Sequence, residues 1–341
     1  NIVYKKIELL QEVDSNISNE KIVLFTRSIA NQDHTYSIGY FLDEKGKLTP
    51  KNIPAFCFFP TKEATNLNFI LHAPFLLTDS RENIKQGQTN NWNENLIGEL
   101  ANLAADSLLV LKDLQLIGDE IIRIIPYKQP AEFFKPFYDK IKEKLQTEEL
   151  LPSLNGEFAK RENAYWADTP NLTTLFSNEQ LTQLTDNADA KWVFVSIDRR
   201  KDSEVTEYID GGNSHLIKSN LDFENKIAEM INADFIQKQS FGWLHKFYEY
   251  LSERKSYQAK FKTKPIFIDS EKNAVAAFNY ESQTDSDHPF LFMPTDYKNP
   301  SVKTIHKDLL SNEKSVEFFK AFGIEEPNPK DEIYRIIKEN D

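Results

Sequence analysis

Apolar positions follow two different rhythms along this chain. The stretches at residues 21–29 and 35–43 read as strands, and FCFF and FILHAPFLL, within residues 56–77, are short continuous apolar runs of the kind found in strands buried on both faces. Each run stops at a polar turn, and the second empties into Thr78, Asp79, Ser80 and Arg81. Past a short polar link the spacing changes to three- and four-residue steps. Trp92, Leu96, Leu100, Leu103, Ser107, Leu111 and Leu114 form an apolar stripe that predicts a long helix lying on those strands. The run IIRIIPY at residues 121–127 follows. Strands covered by a helix predict a layered sheet-and-helix domain over residues 1–128.

A second region begins at Lys128, Gln129 and Pro130, where proline disfavours helix in the residue before it and the pattern changes. Phe134, Phe137, Tyr138, Ile141 and Leu145 mark a helix with Pro136 in its first turn. The segment LLPSLNGEFAKRENAYWAD then reads as two short extended pieces about an Asn155-Gly156 turn. KPIFIDSEKNAVAAFNY, residues 264–280, has the same shape. Each is preceded by an aromatic-rich amphipathic helix, so the pattern suggests a duplicated helix-plus-hairpin unit, 129–206 and 207–341. Between them KWVFVSID, residues 191–198, reads as a buried strand. Residues 223–251 read as helix, with an aromatic stripe whose helical spacing assigns it to a core rather than to a cofactor or base-stacking surface. Two short helices at 318–322 and 333–337 flank the breaker EEPNP. The fold class is therefore α/β in the broad sense (α+β), the second region being helices and short hairpins.

Length and composition narrow the function classes. The chain has 341 residues, enough for two or three domains, with 40% hydrophobic residues including 25 Phe and 13 Tyr to fill their cores. A net charge of -12 disfavours nonspecific binding to nucleic acid. The basic stretch KSYQAKFKTK at 255–264 reads as a solvated loop. The single cysteine, Cys57, has no internal disulfide partner and no zinc-ligand spacing around it, so it reads as a small core residue. No run approaches the roughly 18 apolar residues a membrane span needs, and no signal peptide is visible. A cytoplasmic chain without a metal site or membrane contact is the expectation.

Among polar residues Arg81 stands out. A cation where a buried strand meets a packed helix is held rigidly and points away from the scaffold, as a phosphate-sensing group must. The competing reading is a bidentate pair with Asp79 or Glu82 that pins the turn. Lys85 is a second candidate cation. His72, inside an apolar strand, reads as a hydrogen-bonded core histidine, and His245 lies on the aromatic helix. The acidic pairs Asp139 with Glu143, Glu148 with Glu149 and Glu325 with Glu326 read as solvated charges, since a general acid needs burial to raise its pKa.

The FCFFPT opening, the HAPF and DSREN blocks and the Trp92-Asn93 pair, in that order, resemble a known arrangement. It is the segment after the nucleotide-binding domain in sacsin-like ATPases, relatives of the ninety-kilodalton heat-shock chaperones in the gyrase, chaperone, histidine-kinase and MutL (GHKL) superfamily. The resemblance covers residues 20–118, with fainter similarity in LLPSLNGEF and EFFKAFGIEEPNPKDEIYRII. It implies a transducer-like domain, the ribosomal-protein-like second domain of those ATPases. It also implies that Arg81, in the Ser80-Arg81-Glu82 block, contacts the terminal phosphate of ATP, with Lys85 as a weaker phosphate-facing group. The superfamily's ATP-binding motifs do not occur here. Asp210-Gly211-Gly212 lacks the spacing of the adenine turn, there is no Walker A sequence, and 10 glycines leave little material for a phosphate-cradling loop.

The chain is thus expected to be a piece of a larger protein, lying downstream of the nucleotide-binding domain that holds ATP and Mg. By itself it holds no cofactor and is not an enzyme. Its role would be to supply Arg81 in cis and to couple nucleotide state to a client or partner region. The alternative is an interaction or scaffold module that keeps the ATPase-associated fold as a relic and binds its partner through the region after residue 130.

Overall fold

The computed structural model describes residues 2–13, 16–30, 33–87, 91–128, 130–211, 215–278, 290–295 and 302–327. β2 (Asn16–Ser28) and β3 (Thr35–Leu42) cover the two expected strands, and an unexpected strand, β1 (Val3–Val13), pairs with β2 to complete an antiparallel meander. The short strands β4 (Leu48–Thr49), β5 (Phe56–Cys57), β6 (Phe59–Pro60) and β7 (Ile70–His72) complete a sheet of order β1-β2-β3-β7-β5-β6, with β4 paired to β3. β7 runs antiparallel to β3 and parallel to β5. Val23, Phe25, Ile38, Tyr40, Phe69 and Leu71 carry the buried face.

Helix α1 (Trp92–Asp113) covers that face with Leu96, Leu100, Leu103, Ser107 and Leu111, all buried. Ser107 belongs in the stripe because its hydroxyl meets the Tyr40 hydroxyl at 3.0 Å, so neither buried oxygen is left unpaired. After a single helical turn, α2 (Ile121–Ile124), the chain passes Pro130 and forms α3 (Lys135–Thr147), with Pro136 at its start.

The division of the chain differs from the expected seam at Lys128–Pro130. One compact unit comprises Asn1–Pro170 with Asp189–Asn220, the other Asn171–Ala188 with Leu221–Asp341. The reason lies in α3. Its apolar face, Phe137, Ile141 and Leu145, is buried in the same core as α1, with the Phe69 and Phe137 rings 5.9 Å apart. Pro130 therefore marks a turn within one core, and the segments 129–206 and 207–341 do not correspond to separate units.

Both expected hairpins form, Leu151–Pro152 with Phe158–Ala159 and Phe267–Ile268 with Ala274–Val275. KWVFVSID keeps only Lys191–Trp192 as strand, because Phe194 turns the chain with φ of 51°. In the second unit the helical run from 223 is broken into Phe223–Ile227, Ala228–Met230, Ala233–Gln237 and Phe241–Ser252. Asn232 and Ser240 start the last two by accepting hydrogen bonds from the Phe235 and Trp243 amides. The aromatic stripe is core: Leu244, Phe247 and Tyr248 are fully buried, and the Tyr248 ring stacks on Phe267 and Phe318. The helix at 318–322 lies within Glu313–Phe322, and the one expected at 333–337 falls outside the described residues. Among the described residues no helix is long and apolar enough to cross a membrane.

Candidate phosphate-facing site

Arg81 sits on a chain reversal between β7 and α1. Leu77 and Ile84 form an antiparallel bridge, the Thr78 amide donates to the Asn83 carbonyl at 2.9 Å, and the Arg81 amide donates to the Thr78 carbonyl at 2.8 Å. This closure puts Arg81 in the left-handed region, φ 59°, a conformation that costs a non-glycine residue on the order of 1–3 kcal/mol. Neither Gly nor Asn, the usual occupants, is present.

The reversal is tied to the first turn of α1. Fully buried Asn93 accepts from the Leu76 amide at 2.9 Å and donates to the carbonyls of Leu76 at 2.8 Å and Lys85 at 2.7 Å. One amide side chain thus binds both limbs of the loop. Trp92 Nε1 donates to the Pro74 carbonyl at 3.0 Å, and Glu63 accepts from the Ile84 amide at 3.1 Å. The Trp92-Asn93 pair was visible in the sequence as part of a resemblance and as the start of a stripe. That Asn93 is the clamp was not.

The guanidinium of Arg81 is exposed, and among the described residues it has no hydrogen bond or ion pair. The pair with Asp79 or Glu82 is not made. Glu82 is taken instead by Lys62, whose ammonium meets its carboxylate and whose amide donates to its carbonyl at 2.6 Å. A free planar guanidinium offers two parallel N–H donors to a phosphate or carboxylate. Lys85 is exposed and also unpaired among the described residues, but it does not line the concavity that holds Arg81, so the two cations do not share it.

That concavity, about 640 Å³, is lined by Cys57, Phe58, Phe59, Leu77, Asp79 and Arg81 among others. FCFF is not buried as the apolar run implies. Phe58 is 70% and Phe59 80% exposed, on a one-residue reversal where Phe58 has φ of 60°. Cys57 is half-buried, which pushes its thiol up, and its Sγ donates to the Phe75 carbonyl at 3.3 Å. His72 is half-buried, its pKa lowered by that burial. It packs edge-on against Phe58 and, among the described residues, makes no side-chain hydrogen bond. His245 Nδ1 meets the Ser315 hydroxyl at 2.8 Å, a structural contact. Among the described residues no cluster of His, Cys, Asp and Glu is arranged to hold a metal.

Comparison with known proteins returned no matching family model, curated relative or solved structure.

Proposed function

We propose that this chain is the transducer-like part of a heat-shock-chaperone-like ATPase of the cytoplasm, in which Arg81 contacts the terminal phosphate of a nucleotide held by a separate domain. The observation that carries the reading is the state of Arg81. A guanidinium left without a carboxylate, on a strained backbone that a buried asparagine clamps, has the form of a preorganised group awaiting an anion. Asp79 in the same concavity disfavours a loosely held anion, so direct two-pronged contact by Arg81 is required. ATP with Mg supplies the bond that breaks. Arg81 neutralises charge on the terminal phosphoryl oxygens and holds their orientation, and the clamp through Asn93 passes movement of the loop to α1. Coupling to a client or partner then proceeds through the packed α1 and α3.

Arginine fingers contribute about a thousandfold or more in other phosphoryl-transfer enzymes. In the protein joined to its nucleotide-binding domain, Arg81→Ala lowers kcat by at least about tenfold with KM changed much less, because the lost contact matters most when the phosphate carries extra charge. Arg81→Lys restores only part, since a point charge lacks the planar fork. Steady-state kinetics with Mg-ATP checks this, and an unchanged kcat in the Ala variant removes the catalytic role.

A further inference from the structure

A second concavity in the first unit, about 440 Å³, lies between Tyr127, α3 and the helix Ser203–Asp210. Lys142 projects into it in unusual company. Its ammonium is 5.4 Å from the centroid of the Tyr138 ring and 5.3 Å from that of Tyr208, and the two rings meet edge to face 5.4 Å apart. Among the described residues its ammonium has one hydrogen bond, to the Tyr138 hydroxyl at 3.4 Å, and no carboxylate within ion-pair distance. The Tyr208 hydroxyl, itself buried, has no hydrogen-bond partner among the described residues.

Other lysines of the chain are differently placed. Lys264 is also shifted down by burial, but it donates to the carbonyls of Ala228, Glu229 and Ile231, which commits its protons. Lys140 and Lys135, on the same helix as Lys142, face water and pair with Glu143 and Glu132. Burial is the largest influence on Lys142 and lowers its pKa. Asp139 on its own helix and Glu207 on the facing helix oppose that shift, and Arg161 adds to it. The ring faces attract the ammonium form, yet they also hold the nitrogen at the concavity's edge.

We propose that Lys142 is a reactive amine that forms imines with small aldehydes or ketones entering this concavity, aromatic ones above all. The tyrosine rings supply flat apolar walls for such a compound; at the rim Glu204 is paired with Lys128 at 2.6 Å, and Glu207 disfavours anionic compounds. In the reaction the free amine's lone pair attacks the carbonyl carbon as the carbonyl π pair moves to oxygen, which gains a proton. The carbinolamine then loses hydroxide together with a proton as water while nitrogen gives up its remaining proton, leaving C=N with no change in oxidation state. The Tyr138 hydroxyl is near enough to deliver and retrieve protons, and its own pKa, raised by burial and by Asp139 and Glu207, keeps it protonated for that role.

The test is reductive trapping on the full chain: pyridoxal with cyanoborohydride, which delivers hydride to the imine carbon, and site counting by peptide mass spectrometry. At about pH 7 Lys142 is labelled severalfold faster than Lys140 or Lys135, and the excess narrows as the pH is raised past the ordinary lysine value of about 10.4. Tyr138→Phe keeps the ring and slows labelling of Lys142 severalfold while leaving Lys140 unchanged. Labelling of Lys142 no faster than that of Lys140 and Lys135 at about pH 7, or indifference to Tyr138→Phe, overturns the proposal.

Discussion

Asn93 decides whether Arg81 has a fixed position. Its amide group makes three hydrogen bonds to the two limbs of the Arg81 loop from a fully buried position. Removing it leaves the Leu76 amide and the Lys85 carbonyl without that partner, while the Leu76 carbonyl keeps the Lys85 amide at 2.9 Å; each group left unpaired costs about 1–3 kcal/mol. Asn93→Ala is therefore expected to destabilise the first unit by about 2–4 kcal/mol, read from urea unfolding, whereas Arg81→Ala is expected to cost nothing and to relieve no contact. A loss below about 0.5 kcal/mol for Asn93→Ala would show that the clamp does not hold the loop. At this scale the sequence reveals residue type but not partnership. Arg81 was legible as a cation at a strand end, with Asp79 and Glu82 beside it as ready partners. What removed Glu82 was Lys62, twenty residues earlier in the chain, and no local pattern announces such a pair.

At the level of elements, α1 is the framework to which sheet, loop and α3 attach. Asp106 joins three of these elements: its carboxylate accepts from Arg27 on β2 at 2.8 Å and from Lys144 on α3 at 3.0 Å. Partial burial alone would raise its pKa, but hydrogen bonds and charge from Arg27 and Lys144 outweigh it and hold the carboxyl below the usual carboxylate range. A folded pKa below the unfolded one contributes stability that is present above the unfolded pKa, about 4, and is lost as pH falls through the folded value. Unfolding measured across pH should thus show wild type more stable than Asp106→Asn near pH 7, with the gap closing below about pH 4. A gap independent of pH would assign the effect to packing. The helices α1 and α3 were legible because their stripes run for three turns or more, long enough for periodicity to be unambiguous. FCFF was not, because four apolar residues carry no period, and a left-handed Phe58 turned the run outward.

For the whole molecule, the position of the division between the two compact units was not legible. Proline and a change of pattern at residue 130 looked like a linker, while the decisive fact, that Phe137, Ile141 and Leu145 return to the α1 core, is a long-range contact invisible in composition. The excursion of residues 171–188 into the second unit is equally silent in sequence. The sequence likewise marked Arg81 but not what lies across from it, and the proposed role stands or falls there.

The most direct measurement compares two affinities in the proposed parent ATPase: that for Mg-ATP, and that for Mg-ADP with aluminium fluoride, which mimics the phosphoryl group in transfer. With Arg81→Ala the account predicts an affinity for the mimic reduced by at least about tenfold, and an affinity for Mg-ATP reduced far less. Equal loss in both, or none in either, would contradict it.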